Sequence, residues 1–163
     1  PPRSGEQAHG EQTYEGSPRR ECPAGGRDRR EPLIRGKQHG AMCRWVCAQL
    51  ITEWHHGCCI GADSDGADVC KAHAPNAKIV AHPPTLRVLI SHCWEDMSDE
   101  VRKPLPYLDR NRAIVDETDM LLAAPKGPEE QRSGTWSTVR YARKQGKRIV
   151  IVWPDGTITT EGI

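Results

Sequence analysis

Apolar residues recur at helical spacing in four stretches of the chain. The clearest pattern lies in "AMCRWVCAQLITEW", residues 41–54, and predicts an amphipathic helix. Its apolar face comprises Met42, Cys43, Val46, Cys47, Leu50, Ile51 and Trp54. Weaker patterns predict helices over residues 62–73, 107–119 and 135–145. The inward positions of the last two are predicted to be Leu108, Ile114, Val115, Val139 and Ala142.

Short apolar runs separate these helical stretches. "KIVAH", "MLLAA" and "RIVIVW" each have the length and composition of a buried strand, and "PLIRG", residues 32–36, is a candidate first strand. Residues 86–106 fit a helix or a strand equally well. Because apolar strands that alternate with helices form parallel sheets covered on both faces, the sequence predicts an α/β fold. The expected architecture is a Rossmann-like, doubly wound parallel sheet in a single domain.

Residues 1–31 differ from the rest in composition. They are rich in Arg, Glu, Gly, Pro, Gln and Ser and carry almost no aliphatic side chains. Such a segment cannot bury enough apolar surface to offset the entropy lost on ordering. We expect a flexible tail at residues 1–31 and one domain at residues 32–163. The net charge of +1 favours neither a nucleic acid nor an acidic surface as partner.

The seven cysteines raise the question of disulfides or a metal site. No apolar run of signal-peptide length occurs in the first 32 residues, so we expect free thiols and a cytoplasmic location. "HHGCC" together with Cys70 and His73 places six potential ligands within 19 residues, but their spacing matches no paired zinc motif. The sequence therefore predicts neither metal nor cofactor. Cys43 and Cys47 are expected to be core thiols. No apolar run approaches the ~18 residues of a membrane span.

A ligand site is expected where the loops after the strands meet, because ligands bind at the carboxyl ends of the strands in an open parallel sheet. The first loop is "HHGCCIGAD", residues 55–63. Gly57 and Gly61 allow the backbone to approach a ligand closely. Ala62 follows in the same turn, and Asp63 is placed to bind a ribose hydroxyl.

Two further loops supply positive charge and backbone amides. "YLDRNR" places Arg110, Asn111 and Arg112 at the start of a helix. "QRSGTW" places Ser133, Gly134 and Thr135 at the start of another, where unpaired amides and the helix dipole attract anions. The sequence therefore predicts a phosphate cradle at this edge of the sheet.

Each of these features also has a purely structural explanation. Ser133 or Thr135 is the residue type that caps a helix. The arginines can pair with Asp109, Asp116 or Glu117 on the surface, and Gly61 can simply shape a turn. The expected convergence of three loops is what favours a site over these explanations.

Three stretches taken together, "HHGCCIGAD", "KPLPYLDRNRAIVDETDMLLAAP" and "SGTWSTVRYARKQGKRIVIVWPDG", resemble the SLOG superfamily of Rossmann-like nucleotide-ligand binders. Within it they are most similar to the small proteins related to YpsA. Other members are the LOG phosphoribohydrolases and the DNA-processing protein DprA. The resemblance covers about residues 36–156. It implies a nucleotide-derived ligand and, by analogy with LOG enzymes, a homodimer.

The chain departs from the family pattern in two places. The family opens with an apolar strand and a glycine turn, where this chain has the short, basic "PLIRGKQHG". The catalytic Glu of LOG enzymes falls on Thr138, although their catalytic Arg falls on Arg110. We therefore expect a nucleotide-binding module. The alternative is a phosphoribohydrolase, with Arg110 catalytic and Asp63 or Glu130 in place of the missing Glu.

A weaker alternative is nucleic-acid binding in the manner of DprA, against which the near-zero net charge argues. A basic stripe would favour it, and the candidates are Arg140, Arg143, Lys144, Lys147 and Arg148. The same residues are also explained as a solvated helix face whose alkyl stems cover apolar surface.

Overall fold

The computed structural model describes residues 36–86, 90 and 97–162, which form four helices and six strands. The helices are α1 (Lys37–Cys47), α2 (Ala62–His73), α3 (Tyr107–Glu117) and α4 (Gly134–Lys144). The strands are β1 (Glu53–His56), β2 (Lys78–Ala81), β3 (Glu100–Val101), β4 (Met120–Ala123), β5 (Arg148–Val152) and β6 (Ile158–Glu161). The expected tail at residues 1–31 and the candidate strand at residues 32–36, apart from Gly36, lie outside the described residues.

The strands form two three-stranded sheets. The first has the order β1-β2-β3 and is parallel throughout, with His56 opposite Ala81. The second has the order β4-β5-β6, in which β4 and β5 are parallel and β6 is antiparallel to β5. The α/β class expected from the sequence is therefore confirmed as a mixed α/β fold.

Helices cover both faces of the second sheet. On one face, Val139 of α4 packs in a cluster with Ile151 of β5. On the other face, Met42 of α1 packs in a cluster with Val152. Successive strand residues point to opposite faces, so the uninterrupted apolar run of β5 supplies both cores. Within the described residues, no helix combines the length and the apolarity needed to cross a membrane.

Three of the predicted helices lie where the sequence placed them, within one or two residues. The inward positions Val115, Val139 and Ala142 are buried, as predicted. Leu108 is more than half exposed, so its predicted inward position is wrong. It lies in the first turn of α3 and lines a small surface pocket beside α4.

The predicted helix over residues 41–54 is wrong at both ends, because α1 begins at Lys37 and ends at Cys47. The amides of Ala48 and Gln49 bond to carbonyls three residues earlier, which tightens the last turn and ends the helix. Leu50 is consequently 97% exposed. Trp54, predicted on the same helical face, lies in β1. The expectation of core thiols is wrong for Cys47, which is exposed, whereas Cys43 is partly buried and packs against the core cluster of Met42.

Candidate functional site

A cavity of about 530 Å³ lies between the two sheets, where the N-terminal ends of α2, α3 and α4 meet. Four consecutive residues along β4 and beyond it line the cavity, from Leu121 to Ala124. Since alternate side chains point to opposite faces of a sheet, such a run lies against the edge of the strand rather than one face. β4 is hydrogen-bonded to β5 along its other edge, and β1 belongs to the other sheet. The cavity therefore occupies the space beside the free edge of β4.

All three predicted loops contribute residues to this cavity. Six of the ten predicted site residues line it: Ala62, Asp63, Arg110, Asn111, Gly134 and Thr135. The other four, which are Gly57, Gly61, Arg112 and Ser133, do not. The shared position of the six is an observation, and ligand binding by them stays a prediction.

Arg110 is the central charged group of the cavity wall, although only 3% of its surface is exposed. Its Nη1 lies 3.5 Å from Asp63 Oδ2, and its Nη2 donates a hydrogen bond to Cys59 Sγ over 3.3 Å. The guanidinium carbon lies 4.7 Å from the ring centroid of Tyr107, in cation–π range. Nε is buried and has no hydrogen-bond partner among the described residues.

The environment of Arg110 keeps it charged. Burial works to lower the pKa of Arg110, but Asp63, Cys59 and Tyr107 together raise that pKa above its ordinary value. Burial is also the first cause that raises the pKa of the Cys59 thiol, followed by the charge of Asp63. The site thus combines a buried permanent cation with a neutral thiol.

Gly57 has a different role from the predicted contact with a ligand. A Cβ atom at this position would overlap the Arg110 guanidinium and would lie 2.7 Å from Asp63 Oδ2. The missing side chain therefore makes room for Arg110.

Gly61 shapes the turn into α2. It is the N-cap residue, with φ of 105°, a conformation that residues with a Cβ rarely adopt. The turn brings Asp63 Oδ2 within 3.2 Å of the Cys59 amide, from which it accepts a hydrogen bond. The turn-forming explanation therefore accounts for Gly61, which does not line the cavity.

One face of α3 lines the cavity. This face consists of Tyr107, Arg110, Asn111 and Ile114, which occupy positions i, i+3, i+4 and i+7 of the helix. Arg112 cannot join them, because two residues along a helix turn a side chain by about 200°. It is 56% exposed, and its Nη1 lies 3.4 Å from Asp109 Oδ1. Arg112 therefore lies outside the cavity wall, in the surface ion pair that is its structural explanation.

At the N-terminus of α4, one residue caps the helix and the next two line the cavity. Ser133 is the N-cap, and its Oγ accepts a hydrogen bond from the Trp136 amide over 3.4 Å. Gly134 and Thr135 line the cavity. Gly134 lies against Tyr107, since a Cβ on it would be 3.3 Å from Tyr107 Cε1. Ser133 therefore caps the helix, while the two following residues face the cavity.

Sequence reasoning missed three notable residues of the lining, which are Cys59, Tyr107 and Lys126. Cys59 lies in the first quoted loop, and Tyr107 precedes Arg110 by three residues on a helix, so spacing alone could have indicated both. Lys126 follows β4 in an irregular loop, where no periodic signal exists. Among the described residues that line the cavity, Asp63 is the one carboxylate.

The six potential metal ligands of the histidine- and cysteine-rich segment do not gather with one another. In the described part of the chain, the one group of metal-ligating side chains combines His55 with His82 and Glu117. Cys58 lies in the core near the loop, where burial first, and then the charge of Asp63, raises its pKa to about 12.

Two of the five residues of the candidate basic stripe form ion pairs with described residues. Arg140 and Arg143 both form ion pairs with Glu129, and Arg143 also pairs with Glu161. Lys147 donates to the Thr118 carbonyl over 2.7 Å. These ion pairs place two carboxylates beside two of the five basic side chains, while the hydrogen bond to a neutral carbonyl leaves the charge of Lys147 in place.

No protein-family model, curated protein or solved structure matches this chain. The resemblance to the SLOG superfamily rests on the three quoted stretches alone.

Proposed function

We propose that this protein binds a nucleotide or nucleotide-derived ligand, with a phosphate group held at the cavity by Arg110 and the N-terminus of α4. The observation that supports this most is Arg110 itself. A buried cation is costly unless hydrogen bonds and opposite charge compensate it. Asp63 compensates part of this charge, and Nε has no partner among the described residues. A ligand anion would supply further charge and hydrogen-bond acceptors.

The surroundings of Arg110 suit an anion. The N-terminal ends of α3 and α4 face the cavity, and unpaired amides with the helix dipole favour negative charge there. Gly134 has no side chain to block those amides, and the Thr135 hydroxyl adds a donor. Lys126 lines the same cavity as a second cation.

The rest of the cavity suits a nucleoside. Ile114, Leu121 and Leu122 provide apolar surface, and Tyr107 provides an aromatic ring. Asp63 can accept a hydrogen bond from a ribose hydroxyl with the lone pairs that Arg110 and Cys59 leave free.

We further propose that the two sheets are halves of a Rossmann-like arrangement. The parallel pairs β1-β2 and β4-β5, and the helices on both faces of the second sheet, support this view. The loop after β1 contributes residues to the cavity, and in such folds ligands lie at the loops that follow the strands. The homodimer implied by the family resemblance remains an expectation.

Calorimetry with AMP, ADP-ribose and adenosine tests the proposal on wild type and on two arginine variants. Arg110→Ala removes charge-assisted hydrogen bonds worth about 1.5–3 kcal/mol, so AMP should bind roughly 10- to 150-fold more weakly. Arg112→Ala is the matched control, because Arg112 lies two residues away on the same helix and faces solvent. The variant Arg112→Ala should bind AMP with the affinity of wild type.

Thermal melts and the variant Arg110→Lys distinguish a loss of binding from a loss of folding. Arg110→Lys keeps the charge but loses the planar fork, so it should bind with intermediate affinity. Equal affinity of wild type for adenosine and AMP would rule out the phosphate cradle.

A second candidate function, hydrolysis of the N-glycosidic bond, has support from Asp63. This carboxylate lines the cavity beside Arg110, whereas Glu130 does not. The family's catalytic Glu position, Thr138, carries a hydroxyl that donates to the Gly134 carbonyl over 3.0 Å. An assay for released base and ribose 5-phosphate, on wild type and Asp63→Asn, tests this candidate. Turnover that is lost in Asp63→Asn would establish an enzyme.

A further inference from the structure

We propose that His55, His82 and Glu117 form a binding site for one divalent transition-metal ion such as zinc. The three residues come from different elements. His55 lies in β1, His82 directly follows β2, and Glu117 is the last residue of α3. The register opposes His55 to Val80, which places His82 two residues further along on the same face. The fold therefore brings together three ligands that are distant in sequence.

The distances between the ligand atoms suit a first-row metal ion. His55 Nδ1 lies 2.9 Å from His82 Nε2, and Glu117 Oε2 lies 3.9 Å from each nitrogen. Within the plane of these three atoms, the point equidistant from them is about 2.1 Å from each, the usual length of a zinc–nitrogen or zinc–oxygen bond. Two imidazoles and one carboxylate form a ligand set that zinc accepts with a fourth position left open.

Neighbouring carboxylate and guanidinium groups orient the ligands. Glu53 Oε2 lies 3.2 Å from His55 Nε2, so Nε2–H donates to it and the lone pair of Nδ1 faces the cluster. A carboxylate behind a metal-bound histidine is a common arrangement, because it fixes the tautomer and raises the basicity of the ligand. Arg102 Nε donates to Glu117 Oε2 over 2.8 Å and holds that carboxylate near the histidines.

Burial and charge also suit a cation. The side chains of both histidines are only 2% exposed, while that of Glu117 is 36% exposed. The ion would thus have a dry side and a solvent-facing side. The charged groups linked to the cluster are the three carboxylates of Glu53, Glu100 and Glu117 and the two cations of Lys78 and Arg102, a net charge of −1.

Binding requires one tautomeric change. With Nδ1 of His55 unprotonated, the hydrogen bond between the two rings is donated by His82 Nε2–H. When the metal binds, the proton of His82 moves to its Nδ1, and the two lone pairs then face the ion.

Titration with Co²⁺, followed by visible absorption, and with Zn²⁺, followed by calorimetry, tests the site on the full chain. Wild type should bind one equivalent of each. Glu117→Gln should weaken binding at least tenfold, and because Glu117 is at the surface this variant should fold. His82→Ala should weaken it further, with circular dichroism melts as a check on folding. Glu53→Gln removes the carboxylate behind His55 and should weaken binding by roughly 10-fold.

His73→Ala serves as the control, since this exposed histidine at the end of α2 lies outside the cluster. Its affinity for both metals should match wild type. Absence of a one-to-one complex with wild type would overturn the proposal, as would unchanged affinity in Glu117→Gln. A sulfur-to-cobalt charge-transfer band would also overturn it, because it would assign the ion to cysteine ligands.

Discussion

The guanidinium group of Arg110 occupies the space in which any residue other than glycine at position 57 would place its Cβ atom. The same position lies 2.7 Å from Asp63 Oδ2, so the glycine, the cation and the carboxylate are packed against one another. The first loop and the start of α3 therefore fit together only if the loop carries a glycine at this point.

Gly57→Ala should consequently destabilise the protein. The added methyl group displaces the guanidinium or the loop, and overpacking of this kind costs about 1–3 kcal/mol. For a chain of this size, thermal melts should show a midpoint lower by roughly 2–4 °C per kcal/mol. Gly127→Ala is the matched control, because a Cβ there meets nothing within 4 Å. Equal midpoints for the two variants would show that Arg110 can move aside without cost.

Alanine variants at Ser133 and Thr135 should distinguish an effect on folding stability from an effect on AMP binding. Ser133→Ala removes the N-cap of α4, for which a loss of about 1 kcal/mol in unfolding free energy is typical. Its affinity for AMP should stay at the wild-type value, since Ser133 does not line the cavity. Thr135→Ala should weaken AMP binding and leave the unfolding free energy unchanged, because Thr135 is exposed and lines the cavity. Chemical denaturation and calorimetry on both variants measure the two effects. Loss of AMP binding in Ser133→Ala would contradict this division of roles.

The rule that ligands bind at the carboxyl ends of parallel strands was enough to predict where the three loops meet. Periodicity could have refined this prediction, because Arg110 and Arg112 cannot share a helical face, whereas Tyr107 and Arg110 can. The contact between Gly57 and Arg110 could not be predicted, since it joins the backbone of one residue to the side chain of another 53 positions away, and only the fold sets their distance.

The boundaries of α1 and the existence of β6 show two limits of predicting secondary structure from hydrophobic periodicity. Apolar residues continue past Cys47 with helical spacing as far as Trp54, and no glycine or proline marks the end of the helix. Periodicity alone therefore extends the helix too far. β6 follows the turn "PDGT" and carries two threonines. Its apolar alternation is therefore too weak to predict a strand. The pairing of His55 with His82 also escaped sequence reasoning, because it depends on strand register.

The cysteines should differ widely in their reaction with thiol reagents. Cys47 is exposed, whereas Cys58 and Cys70 are buried. Burial raises the pKa of Cys70 to about 11, and burial followed by the charge of Asp63 raises that of Cys58 to about 12. Since the thiolate is the reactive form, Cys47 should be alkylated at pH 8 at least ~100-fold faster than either.

Peptide mapping by mass spectrometry after brief iodoacetamide treatment measures these rates separately. Denatured protein provides the control, in which all cysteines should react alike. Rapid alkylation of Cys58 in the native protein would indicate that the first loop opens to solvent.

Arg143 joins three parts of the chain in a way that should depend on pH. Its Nε and Nη2 donate to the two carboxylate oxygens of Glu161 in β6 over 2.7 and 2.9 Å. Its Nη1 donates to Glu129, in the loop before α4, over 2.8 Å. The hydrogen bonds from Arg143 are the largest influence on Glu161 and lower the pKa of that carboxyl below its ordinary value.

A carboxyl whose pKa is lowered by folding stabilises the folded state above the pKa that it has in the unfolded chain. Glu161 should therefore contribute its full effect at neutral pH, and the effect should vanish as the pH falls through its lowered folded-state pKa. Because Arg143 and Glu161 are each more than one third exposed, the coupling should not exceed about 1 kcal/mol. A double-mutant cycle with Arg143→Met and Glu161→Gln, measured by denaturation at pH 7, gives this coupling. It should decline in 1 M salt, which screens exposed charges, and disappear in acid. A coupling that persists in acid would mean that packing of the arginine stem, rather than its charge, connects α4 to β6.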